Sequence, residues 1–193
     1  RRARARLCGH AVTADGSSIV SDIKIKTGTA EHTGFEFFIR REFDAPLDRM
    51  WRAWSDPQRM SQWWGPKGSK TEVVKLDFRP GGICHYRMDF EGQKMWGKLR
   101  YREIEPKKRL VFIVSFSDEN EGITVHPMNP AWPRQILSTI TFSEKAGKTT
   151  VTVRWVPYEA TDPEREVFEA GRDAMQAGWT GTLDRLETDL ATA

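Results

Sequence analysis

The sequence predicts an α+β domain in which a curved antiparallel sheet wraps around one long C-terminal helix, with two short helices after the first strand. Three observations lead there. Helical periodicity near the front comes in two brief bursts, each opened by a proline-marked start signal. A run of alternating apolar and polar segments follows, joined by connections too short for parallel crossovers. The chain then closes on an apolar stripe at helical spacing from Pro163 to about Leu190.

Residues 35–43, "FEFFIRREF", are β-prone, and Asp44-Ala-Pro46 closes that strand and opens a helix. Leu47, Met50, Trp51 and Trp54 follow at i, i+3, i+4 and i+7, one apolar face. Asp56-Pro57 repeats the start signal for a two-turn helix ending at Trp63-Trp64, where Gly65 suits a left-handed terminus and Pro66 forbids continuation. Strands are expected over 69–78, 83–90, 94–105 and 110–116. A hairpin is expected about Glu144–Gly147, after an eighteen-residue connection over 117–134. In the last helix Asp162 is the expected cap, and Gly171 and Gly178 suggest close approach of the backbone to the sheet or to something held between. A strand, two short helices, about six curved strands and a long helix are the pattern of a helix-grip fold, which often encloses a cavity.

Composition narrows the function classes. The 193 residues allow one domain of ordinary size plus an arm. No apolar run approaches the roughly 20 residues needed to span a bilayer, and the first residues lack the apolar core of a secretory signal. Cys8 and Cys84 form no disulfide framework, so a reduced, cytoplasmic compartment is the expectation. The net charge of +3 resides in residues 1–34, since the 30 basic and 27 acidic residues of the chain balance at 24 each over 35–193. A nucleic-acid binder carries its basic stripe on the folded domain instead. Residues 1–34 therefore read as an N-terminal arm, flexible or a start-site artefact, and 35–193 as the domain. His10, His32, His85 and His126 show no metal spacing. Neither a metal nor a cofactor is expected.

"REFDAP…MWRAWSDPQRMSQWWGPKG", "LDFRPGG", "WGKLRYREIEPKKRLVF" and "GWTGTLDRLETDL" resemble the AHSA-type family, named for the activator of the heat-shock-protein-ninety ATPase. "SFSDENEG", "HPMNPAWP" and "TFSEKAGKTTVTVRW" look like a bacterial branch of it. The resemblance covers about 35–190. It implies membership of the START-related, SRPBCC helix-grip superfamily, whose members include lipid carriers, receptors, cyclases and chaperone co-activators. Fold alone does not choose among these.

Candidate site residues follow from the inferred inner face and from the two loops at its end. Trp63 and Trp64 diverge by about 100° at a helix terminus, so one ring can pack while the other faces a cavity; the alternative is that both simply seal the elbow to the sheet. Tyr86 and Met88, then Tyr101, then Phe112 and Val114 alternate inward on three strands, with Trp155 on the last strand and Met175 and Trp179 on the long helix. His126, Met128 and Trp132 lie on a proline-stiffened loop that suits a lid. His126 has no Ser, Cys or carboxylate spaced to announce a triad, and Cys84 and His85 point to opposite faces of their strand. Trp96 falls in register with Lys98 unless a bulge intervenes, and Ser138 is a candidate polar group. The leading expectation is non-catalytic binding of a small hydrophobic or aromatic molecule between sheet and helix. A protein-interaction module, chaperone-directed or a homodimer, is the alternative, and a cyclase- or hydrolase-type enzyme ranks below both. Neither nucleic acid nor membrane is an expected partner.

Overall fold

The expected alternation carries over into seven strands: β1 (Phe37–Phe43), β2 (Lys70–Leu76), β3 (Ile83–Phe90), β4 (Gln93–Glu105), β5 (Arg109–Ser117), β6 (Ile136–Lys145) and β7 (Lys148–Pro157). This computed structural model describes residues 35–192; the expected arm, residues 1–34, lies outside the described residues. The strands form one antiparallel sheet in the order β1-β7-β6-β5-β4-β3-β2. The β6–β7 turn at Ala146-Gly147 has positive φ at both residues, the geometry that matches strand twist in a two-residue hairpin.

The helical elbow forms as its punctuation predicts. α1 (Leu47–Ser55) buries Met50, Ala53 and Trp54, and α2 (Pro57–Trp63) buries Met60 and Trp63. Asp56 accepts from the backbone N–H of Gln58 and Arg59 at 2.8 and 3.0 Å, capping α2. Gly65 takes φ +104°, and a Cβ there would lie 2.4 Å from the Met88 methyl.

Two expectations about the last helix are corrected. It is interrupted at Gly171, giving α3 (Asp162–Ala170) and α4 (Arg172–Thr192). The break sits where the Trp132 ring presses on the chain, 2.7 Å from where a Cβ on Gly171 would stand. The cap is Thr161 rather than Asp162, with the Glu164 carboxylate accepting from the Thr161 N–H and hydroxyl at 2.7 and 2.9 Å.

Both sheet edges are tied to helices. On β2, the Val73 N–H donates to the Ser61 hydroxyl of α2 at 3.0 Å. Beside β1, Arg172 donates to the Glu36 carbonyl at 2.8 Å, and Arg41 pairs with Asp184 at 2.6 Å. These ties hold the helical layer over the concave face and blunt edges that would otherwise template further strands.

The interior is filled unevenly along the strands. At one end α1 inserts Trp51 and Trp54 among Phe78 and Phe142, with ring centroids 5.7 Å apart for Trp51–Phe78, Trp51–Phe142 and Trp54–Phe142. Tyr101 and Phe112 complete that packing. The other end has no α1 above it, and there the space stays open.

Candidate ligand cavity

The open end is a cavity of about 410 Å³. Its floor comes from one end of five strands: Tyr86, Met88 and Phe90 of β3, Met95 of β4, Val114 and Phe116 of β5, Ile136 of β6, and Trp155 of β7. These side chains meet because register puts Met88 opposite Met95 and Tyr86 opposite Gly97, which in turn faces Phe116. Gly97 makes room for the Tyr86 ring, since a Cβ there would lie 2.3 Å from it. The roof is the first half of α4, with Met175, Gly178, Trp179 and Thr182. The second half of α4 is held against the elbow, where Arg59 pairs with Asp189 at 2.6 Å and Arg49 donates to the Leu190 carbonyl at 3.0 Å.

The twin tryptophans divide their work. Trp63 is 0% exposed, donates its indole N–H to the Ala53 carbonyl at 2.9 Å and packs on Trp54 at 4.7 Å. Trp64 turns the other way into the cavity wall, edge-on to Tyr86 at 6.1 Å and Trp179 at 5.9 Å. Trp155 donates to the Ser138 hydroxyl at 2.9 Å and meets Trp179 edge-on at 5.3 Å. Such edge-to-face rings hold one another's orientation and make the wall rigid.

Of the candidate residues, the structure brings Trp64, Tyr86, Met88, Val114, His126, Met128, Trp132, Trp155, Met175 and Trp179 to the cavity. Trp63, Tyr101 and Phe112 are corrected: they face inward as the alternation requires, but Trp63 seals the elbow, and the other two sit at the α1 end, which is packed solid. Ser138 is buried beneath Trp155 and stays out of the cavity. Gly178 is corrected too. A Cβ on it would meet nothing within 4 Å, whereas Gly181, one turn on, would meet the Lys67 backbone at 3.1 Å. The close approach belongs to Gly181. Phe90, Met95 and Phe116 also line the cavity, and the same alternation that marked Tyr86 and Val114 reaches them. Arg134 had one signal, as the charged residue closing the proline-rich loop.

The loop between β5 and β6 closes the mouth. Trp132 packs on Phe168 at 5.5 Å and into the notch at Gly171. Met128 is 66% exposed at the rim. His126 touches Phe116 at 4.5 Å, and its Nδ1 accepts from the N–H of Met128 and Asn129 at 3.1 and 3.2 Å. Burial holds its pKa below the ordinary imidazole value.

These groups do not assemble into a nucleophile and its base. Burial pushes the Cys84 thiol up to about 12, and its Sγ faces the Met60 sulfur at 3.9 Å. His85 lies on the outer face, stacked on Trp96 at 4.8 Å, with Nε2 3.1 Å from the Asp118 carbonyl. Burial pushes the Tyr86 phenol up to about 12, so it stays protonated. Among the described residues no cluster of three or more His, Cys, Asp or Glu is placed to hold a metal, and no helix is long and apolar enough to cross a membrane.

A family model described as activator of Hsp90 ATPase homolog 1-like protein matches residues 44–191. The chain belongs to this AHSA1 family. No curated protein matches it. Solved structures share the AHSA1 fold with it. Protein Ms6760 from Mycobacterium smegmatis is 24% identical over 82% of this chain and 92% of its own, with a TM-score of 0.67. A protein from Arthrobacter aurescens is 25% identical over 83% and 88%, with a TM-score of 0.69. DynU16, from the dynemicin biosynthetic locus, is 25% identical over 82% of this chain but 48% of its own, with a TM-score of 0.55.

Proposed function

We propose that this AHSA1 domain is a non-catalytic binder of a small apolar or aromatic molecule, held between the sheet and α4. The observation that carries the proposal is the cavity itself: about 410 Å³, walled by aromatic and methionine side chains and set against an otherwise close-packed core. A volume in the few-hundred Å³ range with few polar groups is typical of small-molecule sites. The rigid aromatic wall favours flat, apolar ligands, because Trp64, Trp155 and Trp179 present area without needing to be ordered on binding. The inert Cys84 thiol and the absence of a nucleophile–base pair among the described residues support binding over turnover.

The test uses the neutral aromatic dye N-phenyl-1-naphthylamine with the full chain. Saturable one-to-one fluorescence enhancement is expected, weakened about 5- to 100-fold by Trp179→Ala, the equivalent of roughly 1–3 kcal/mol of lost burial. Native mass spectrometry of protein from its own host would identify a retained ligand. Dye binding that never saturates, or that Trp179→Ala leaves unchanged, would sink the proposal.

A further inference from the structure

The polar groups around the cavity are biased toward donors. Among the described residues its lining contains no aspartate or glutamate, and Arg134 is the one formally charged side chain. Among the described residues the Arg134 side chain makes no ion pair. Glu164 lies close enough to feel the Arg134 charge without pairing with it, and both bonds it accepts from Thr161 fall on one oxygen, Oε2. At the same mouth, two backbone N–H groups donate to Nδ1 of His126, which fixes the lone pair on that nitrogen. A neutral imidazole with Nδ1 as acceptor carries its proton on Nε2. That Nε2–H has no acceptor among the described residues. This disposition also argues against a basic role, since the one free lone pair of the ring is already engaged. Tyr86, edge-on to Trp64 at 6.1 Å, keeps its own proton to donate. The Thr182 hydroxyl, which donates to the Gly178 carbonyl at 2.9 Å, offers only an uncharged oxygen, which does not hold an ammonium.

We propose that the ligand is an apolar ring system bearing a carboxylate, inserted rings first, with the carboxylate left at the mouth against the Nε2–H of His126 and the Arg134 guanidinium. This deepens the ligand-binding proposal and rests on it. Charge-assisted bonds to a carboxylate are about twice as strong as those to a neutral acceptor. The exposed side of Arg134 leaves the anion partly hydrated, so its desolvation cost stays small.

Calorimetric titration of the full chain with 2-naphthoic acid, 2-naphthylmethylamine and 2-ethylnaphthalene at neutral pH tests this assignment. The acid should bind at least tenfold more tightly than the amine. His126→Asn keeps a side-chain acceptor for the two loop N–H groups but removes the Nε2–H, and Arg134→Gln removes the charge. Each should weaken the acid about fivefold more than it weakens 2-ethylnaphthalene. Equal affinity for acid and amine, or an acid affinity indifferent to both substitutions, overturns the carboxylate assignment while the cavity remains a binding site. Failure of all three compounds to bind overturns both proposals together.

Discussion

Gly178→Leu separates an open cavity from a close helix–sheet contact by the sign of its effect. Replacing glycine inside α4 by leucine gains about 0.7 kcal/mol of helix propensity. Because a Cβ at 178 meets nothing within 4 Å, the side chain enters the cavity without displacing a neighbour. Partial burial there adds up to about 1.5 kcal/mol. A net gain of about 1–2 kcal/mol corresponds to a rise in Tm of roughly 2–8 °C for a domain of this size. The same isobutyl group occupies ligand space, so N-phenyl-1-naphthylamine binding should fall at least tenfold as stability rises. Gly181→Leu is the internal control. It has the same propensity gain, but its Cβ would stand 3.1 Å from the Lys67 amide nitrogen, and overpacking against backbone costs about 1–3 kcal/mol. Thermal melts and dye titrations of both variants decide the matter. If Gly178→Leu melts as far below wild type as Gly181→Leu, the helix is packed at residue 178 and the cavity is not open there.

Further outcomes follow from single groups. Arg185 donates to the Gln62, Trp64, Gly65 and Pro66 carbonyls and to the Ser69 hydroxyl, at 2.7–3.3 Å, tying α4 to the turn that aims Trp64. Arg185→Met should therefore cost about 2–3 kcal/mol in urea unfolding, and a loss below about 0.5 kcal/mol would show that water replaces these bonds. Iodoacetamide at pH 8 should leave Cys84 unlabelled in the native protein, given a thiol pushed up to about 12, and label it on denaturation; peptide mapping reads both. Burial holds the His126 pKa below its ordinary 6.5 in the folded state, so in a window that opens at about pH 6.5 and runs downward the unfolded chain binds more protons than the folded one. Stability should fall as pH drops through that window, and His126→Asn should flatten the fall. An unchanged slope in the variant would assign it to another group.

Local sequence determined much of this protein, because its signals are short-range. Period-2 alternation fixed which side chains of β3 to β7 face inward, the Asp56-Pro57 and Gly65-Pro66 pairs fixed the elbow, and about 100° between Trp63 and Trp64 allowed one to pack while the other faces the cavity. The order of elements and their short connections made the antiparallel sheet and the gripping helix legible as well. Alternation names a face but not a position along it. Tyr101 and Phe112 share the inner face with Tyr86 and Val114, yet α1 lies over one pair and not the other, and only the docking of that helix decides which end is filled. The glycines of the last helix show the same limit. Propensity marks Gly171, Gly178 and Gly181 alike, but the first accommodates Trp132 from a distant loop, the third accommodates Lys67, and the second borders empty space. The composition of the mouth is likewise tertiary: the bonds to His126 Nδ1 are local, from residues two and three positions on, but His126 and Arg134 meet Met175 and Trp179 around one cavity only because the loop docks on the long helix.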